Sequence, residues 1–129
     1  VKEGDIILTA ISQADGKMKN RPALYLREMP PPFRDCLLCG ISMQLQQEIK
    51  EFDERIVHAN HDFKQSGLLA ESLIRLSFLA VVPKSKIIGT IGSISEARHK
   101  HLLTNLSLYL TKKQSLNSPN IKRISPLNK

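Results

Sequence analysis

The strongest constraint on this fold is where its one clear helical pattern falls. Ala97, Leu102, Leu103, Leu106, Tyr109 and Leu110 form a single apolar stripe at helical spacing, and that stripe comes last. Ser95 is a ready N-cap before it, Glu96 sits at the positive end of the helix dipole, and Lys112 and Lys113 sit at the negative end. The spacing predicts one helix from about Glu96 to about Lys112. Everything before it breaks into short apolar runs of strand length. Asp5 to Ile11, Pro22 to Leu26, Asp35 to Ile41, Arg55 to His58, Ser72 to Ser77 and Ile87 to Ile94 read as strands. Pro22 is expected at the first residue of its strand, because proline cannot donate to a ladder. Gly89 to Gly92 reads as a turn, Ser42 to Ile49 as a short helix or irregular return, Glu48 to Glu54 as a solvated loop, and Val81 to Lys84 as a breaker. Several strands and then one helix imply an α+β fold, a strongly bent antiparallel sheet or small barrel covered by the C-terminal helix.

With 129 residues the chain is long enough for one core. The net charge of +7 is unevenly placed: from Thr111 onward there are five basic residues and no acids, so the first 110 residues carry only +2. Residues 1–112 are expected to form the domain, and residues 113–129 a basic, flexible tail able to help retain a polyanion. No apolar run approaches the roughly 20 residues needed to span a bilayer, and Val1 to Asp5 do not resemble a signal peptide. Because the chain starts with Val, an initiator Met or short leader is expected to be missing.

Cys36 and Cys39 form a C-x-x-C, which invites a metal or redox reading. Three residues apart on a strand, however, their sulfurs point to opposite faces, and no second pair completes a zinc site. Two reduced core cysteines in a cytoplasmic protein are expected. His58, His61 and Asp62 lack a convincing further ligand, and His99 and His101 fall on different helix faces. Neither a phosphate loop nor a nucleophile elbow is present, so no cofactor or metal is expected. Six aromatics and no Trp leave little material for stacking bases.

Arg21, after the polar loop Ser12 to Asn20 and directly before Pro22, can hold a phosphate bidentately. Here the sequence resembles a known family. Gly4-Asp5-Ile6, the polar loop, and Asn20-Arg21-Pro22-Ala23-Leu24-Tyr25-Leu26 are similar to the opening signature of PemK/MazF-like toxins of type II toxin–antitoxin systems. Cys39-Gly40-Ile41-Ser42-Met43-Gln44, the run from Gly67 through Ser72 to Arg75, and Lys84 to Ile94 resemble later family segments, in order, over about Lys2 to Lys112.

The resemblance implies a small SH3-like barrel, a homodimer, a cognate antitoxin as partner, and a metal-independent endoribonuclease. In such enzymes the 2′-hydroxyl of single-stranded RNA attacks its own phosphate and leaves a cyclic phosphate. Arg21, Ser42 and Arg75 match catalytic positions; Lys17, Lys19, Arg21 and Gln44 are the expected RNA contacts. Arginine, with a pKa above about 12, clamps a phosphorane well and serves poorly as a base. Some relatives carry a carboxylate two residues beyond the second arginine, where this chain has Ser77; Asp15 and Asp35 are the remaining candidates for a base. Ser42 would equally serve as a turn cap, and Arg75 would equally pair with Glu71 or Asp62. Two rivals stay open. One is a non-catalytic toxin of the same fold that poisons a protein target such as DNA gyrase. The other is a passive RNA-binding module working through its tail.

Overall fold

The computed structural model describes residues 1–12, 14–113 and 122–126. Six strands form one antiparallel sheet: β1 (Asp5–Ser12), β2 (Met18–Glu28), β3 (Cys36–Ser42), β4 (Glu54–Ile56), β5 (Ser72–Val82) and β6 (Ile87–Ser93). Their spatial order is β4-β5-β3-β2-β1-β6. A one-turn helix, α1 (Phe63–Ser66), precedes β5, and α2 (Glu96–Thr111) closes the domain. The expected α+β architecture, a bent antiparallel sheet with a C-terminal helix, is therefore the observed one. No helix among the described residues is long and apolar enough to cross a membrane.

Alternation of side chains along the strands divides the sheet into two faces. Ile6, Leu24, Leu26, Cys39, Ile41, Ile74 and Leu76 form the main core, capped by Leu102 and Leu106 of α2. Ile7, Ala23, Tyr25, Cys36 and Leu38 form a smaller cluster on the other face. Cys36 and Cys39 are both free and buried, one in each cluster, as the strand geometry requires. Burial pushes the Cys39 thiol up, which keeps it protonated.

Several local expectations need correction. Pro22 lies inside β2 rather than at its start: the strand opens at Met18, and Pro22 pairs with Leu8 of β1. Pairing with β3 begins only at Ala23–Gly40, so no β3 ladder bond is asked of the missing amide. Gly89 to Gly92 is strand, not turn; Gly89 pairs with Leu8 and Gly92 with Ile6. β5 runs through Val82 and stops only at Pro83. The acidic stretch before β4 is not simply solvated. Asp53 is 4% exposed, and its carboxylate accepts from the amides of Ile49 and Ser77 and from the Ser77 hydroxyl. Most of the basic tail, residues 114–121 and 127–129, lies outside the described residues.

The sheet ends are brought together by backbone contact. A Cβ on Gly92 would stand 2.3 Å from the Ser66 carbonyl carbon, and one on Gly67 would stand 2.0 Å from the Ile91 oxygen. The segment between β4 and β5 thus lies directly against β6, at the sheet's opposite end.

Helix α2 is fixed at its first turn. The Ser95 hydroxyl accepts from the Arg98 amide at 3.2 Å, the expected N-cap. The Arg98 guanidinium reaches the fully buried Asp62 carboxylate at 2.8 and 3.1 Å, and also meets Glu54, Asn60 and the Arg55 carbonyl. Farther along, only part of the predicted stripe is buried: Leu102 and Leu106 are, whereas Tyr109, tilted against the Phe52 ring at 5.0 Å, and Leu110 stay exposed. Ser95→Ala is expected to lower stability by about 1 kcal/mol, read as a shift in urea midpoint at unchanged slope.

Candidate functional site

The site lies on the sheet face opposite α2, and strand register builds it. Ala23 pairs with Gly40, and Gly40 pairs with Arg75. Residues directly opposed across antiparallel strands share a face, and so do residues two apart on one strand. Arg21, two residues before Ala23, and Ser42, two after Gly40, therefore join Arg75 on one surface. The three line one cleft of about 670 Å³, together with Gln44, Phe78 and Leu69.

Arg21 is exposed at the cleft edge. Arg75 is half-buried, and its Nε is the one buried side-chain polar atom without a hydrogen-bond partner among the described residues. The alternative partners named from sequence are occupied elsewhere: Asp62 by Arg98, and Glu71 by the His58 amide at 2.9 Å. An unpaired buried N–H is unfavourable by about 1–3 kcal/mol, so no protein acceptor holds the Arg75 side chain through this atom. The Ser42 hydroxyl does act as a turn cap, accepting from the Gln44 amide at 3.0 Å. Accepting one bond leaves the hydroxyl its own proton to donate. Gln44 holds the side-chain amide of Gln46 at 2.6 Å on the cleft rim.

Lys17 and Lys19 do not enter the cleft. Both are exposed on the β1–β2 hairpin; Lys19 shares the face of Arg21 along β2, while Lys17 stands in the turn, its amide donating to Asp15. No carboxylate or imidazole is among the described residues that line the cleft. Asp15 is engaged in its own turn, and Asp35 stands before β3, at the end away from Ser42, about 20 Å off along the strand. Ser77 faces away from the cleft, toward Asp53. Three of the four imidazoles considered as ligands have other partners: His58 packs on the Phe63 ring at 4.5 Å, His99 meets the Leu26 carbonyl at 2.7 Å, and His101 meets Glu54.

Phe78 is the residue that sequence reasoning missed. Between Cys39–Leu79 and Gly40–Arg75 the register slips, leaving Leu76, Ser77 and Phe78 unopposed on β5. This bulge turns Ser77 away and carries Phe78 over Gly40, where a Cβ would stand 3.0 Å from its Cδ1. The nearby glycine was the available signal, but its meaning depends on register.

The model of the PemK-like, MazF-like toxins of type II toxin–antitoxin systems matches residues 2–110. The chain belongs to that family. Among solved structures it is similar to the Mycobacterium tuberculosis toxin MazF-mt6, at 16% sequence identity, with 85% of this chain and 99% of that chain covered and a TM-score of 0.59. A likeness at that identity establishes a shared fold. No curated protein matches the sequence. As a MazF-like toxin of a type II system, the chain implies a cognate antitoxin.

Proposed function

We propose that this MazF-like chain is a homodimeric, metal-independent endoribonuclease of the cytoplasm that cleaves single-stranded RNA. The observation that carries the reading is that Arg21 and Arg75 line one cleft with no carboxylate among its described lining residues. Two guanidinium groups without a neutralising acid make an anion site, suited to a bridging phosphate. The 2′-oxygen attacks the adjacent phosphorus, the bond to the 5′-oxygen breaks, and a 2′,3′-cyclic phosphate and a free 5′-hydroxyl result. Arg21 and Arg75 stabilise the charge that grows on the phosphorane, and the Ser42 hydroxyl donates to a phosphate oxygen. Gln44 contacts RNA at the rim, and Lys17 and Lys19 attract the strand from the hairpin. With no acid or base among the described lining residues, the 2′-proton passes to solvent, solvent protonates the departing 5′-oxygen, and catalysis rests on positioning and charge stabilisation.

The test is incubation of the purified chain with long single-stranded RNA in EDTA, beside Arg21→Ala. Wild type is expected to give discrete fragments ending in cyclic phosphate, and Arg21→Ala to cut at least about 100-fold more slowly. Equal cutting by both chains would remove Arg21 from the site.

The lack of a carboxylate or imidazole among the described lining residues favours one second reading, a non-catalytic toxin that binds a protein target such as DNA gyrase. Inhibition of supercoiling by a chain that leaves RNA intact would establish it.

A further inference from the structure

Among the described residues the cleft contains one aromatic ring, and nothing in the proposed chemistry uses it. Phe78 is 44% exposed, yet it does not project from a convex surface. It borders the main cleft on one side and, on the other, a smaller recess of about 170 Å³ lined by Thr9, Ala23, Leu38 and Ala80. Its neighbours are small. Gly40 lies beneath the ring, where a Cβ would press on Phe78 Cδ1 at 3.0 Å, and Ala23 and Ala80 leave the surrounding floor low. A half-exposed Phe walled into a concave, largely apolar surface offers a flat face to a flat partner.

The same surface carries Arg75, directly opposite Gly40 in the ladder, with its buried unpaired Nε, and Arg21 two residues from Ala23. A ligand that satisfies the whole site has an anionic group for the guanidiniums and, within a few ångströms of it, a planar apolar group for the ring. A nucleotide unit within a single strand has both: its phosphate is anionic, and its base, unpaired and unstacked, has a free π-face.

We propose that Phe78, seated on Gly40 by the β5 bulge, is a base-stacking residue. One unstacked nucleobase of single-stranded RNA lies against its ring while a phosphate of the same strand lies between Arg21 and Arg75. This rests on the reading of the cleft as an RNA site and adds to it a recognition element. Stacking is tolerant of base identity, so Phe78 sets affinity and the splayed conformation of the strand, and the cleft rim sets any preference.

The probe is a fluorescent, mixed-sequence single strand fully 2′-O-methylated, which cannot be cut by its own 2′-oxygen, beside an abasic strand of equal length. Dissociation constants are measured by anisotropy for the wild type, Phe78→Ala, Phe78→Leu and Phe78→Tyr, each checked for folding by thermal melt. Phe78→Ala is expected to weaken binding of the base-bearing strand about tenfold or more. Phe78→Leu weakens it nearly as much, and Phe78→Tyr leaves it close to wild type. The abasic strand binds all four chains equally.

Unchanged affinity in Phe78→Ala overturns the proposal. So does an equal loss for the abasic strand, full rescue by Leu, or a loss accompanied by dissociation of a dimer on size exclusion. Cleavage by wild type with no effect of Phe78 removes this inference and keeps the nuclease. Phe78-dependent binding without cleavage keeps this inference and removes the nuclease. A wild type that binds neither strand removes both.

Discussion

Gly92→Ala is expected to cost about 3 kcal/mol or more of stability and to lower the urea midpoint sharply. A methyl group there would stand 2.3 Å from the carbonyl carbon and oxygen of Ser66 and 2.4 Å from the Gln65 oxygen. All three are backbone atoms, and no rotamer change can move them aside. Relief requires the α1 segment to withdraw from β6, which opens the sheet where its two ends meet. Forcing extra volume into a packed contact costs about 1–3 kcal/mol where side chains can yield; against rigid backbone the figure is at or above the upper end. Gly67→Ala is the reciprocal change: its Cβ would meet the Ile91 oxygen at 2.0 Å, and its φ of +72° adds the left-handed penalty of about 1–2 kcal/mol. A domain of this size has only about 5–15 kcal/mol in hand. Gly89→Ala is the control, with no atom within 4 Å of its Cβ, and should shift the urea midpoint little. If Gly92→Ala and Gly89→Ala unfold at the same urea concentration, the sheet ends do not close in this way.

Asp62→Ala is expected to cost about 2–3 kcal/mol, because it removes the buried carboxylate that a guanidinium only 13% exposed holds twice, leaving Glu54 as its remaining acid. Asp62 is fully buried and accepts from Arg98 Nε and Nη2 and from the Ser95 amide. Removing it loosens the first turn of α2, which then depends on the bonds from Arg98 to Glu54 and the Arg55 carbonyl of β4. The pair also has a pH signature. Burial alone would push the Asp62 carboxyl up, but the hydrogen bonds from Arg98 and Ser95 and the Arg98 charge outweigh it and hold the group below the usual carboxylate range. A carboxyl whose folded pKa lies below its unfolded value stabilises the fold above the unfolded value, near 3.9, and that contribution is lost as pH falls through the folded pKa. Urea midpoints of the wild type should therefore fall steeply below about pH 4. Asp62→Asn should be less stable at pH 7 and should show a shallower acid limb. Parallel acid limbs in the two chains would show that the pair carries no linked stability.

Elements governed by neighbours along the chain are legible in the amino-acid sequence. The apolar runs from Asp5, Asp35 and Ser72 are strands, because alternation over a few residues fixes which side chains can be buried together. Ser95 caps its helix because a cap acts within three residues. Arg21, Ser42, Gln44 and Arg75 are legible through family motifs, and the register brings those four to one cleft. Lys17 and Lys19 stand near Arg21 in sequence, but the long β1–β2 hairpin keeps both out of the cleft. Pro22 misleads because the rule against proline in a ladder applies only where an amide is needed, and β3 ends its pairing one residue away.

Local periodicity, local hydrogen bonding and short motifs were enough to set the strand segments, the capped C-terminal helix, the opposite burial of Cys36 and Cys39, and the candidate cleft residues Arg21, Ser42 and Arg75. Three features came from the folded chain alone. The slip between β3 and β5 chose Phe78 over Ser77 for the cleft. The contact between Gly67 and Gly92 joined the sheet ends. Asp62 takes Arg98 as its partner rather than Arg75, whose Nε has none. These depend on which distant backbone atoms meet, and the packing of the whole sheet sets that.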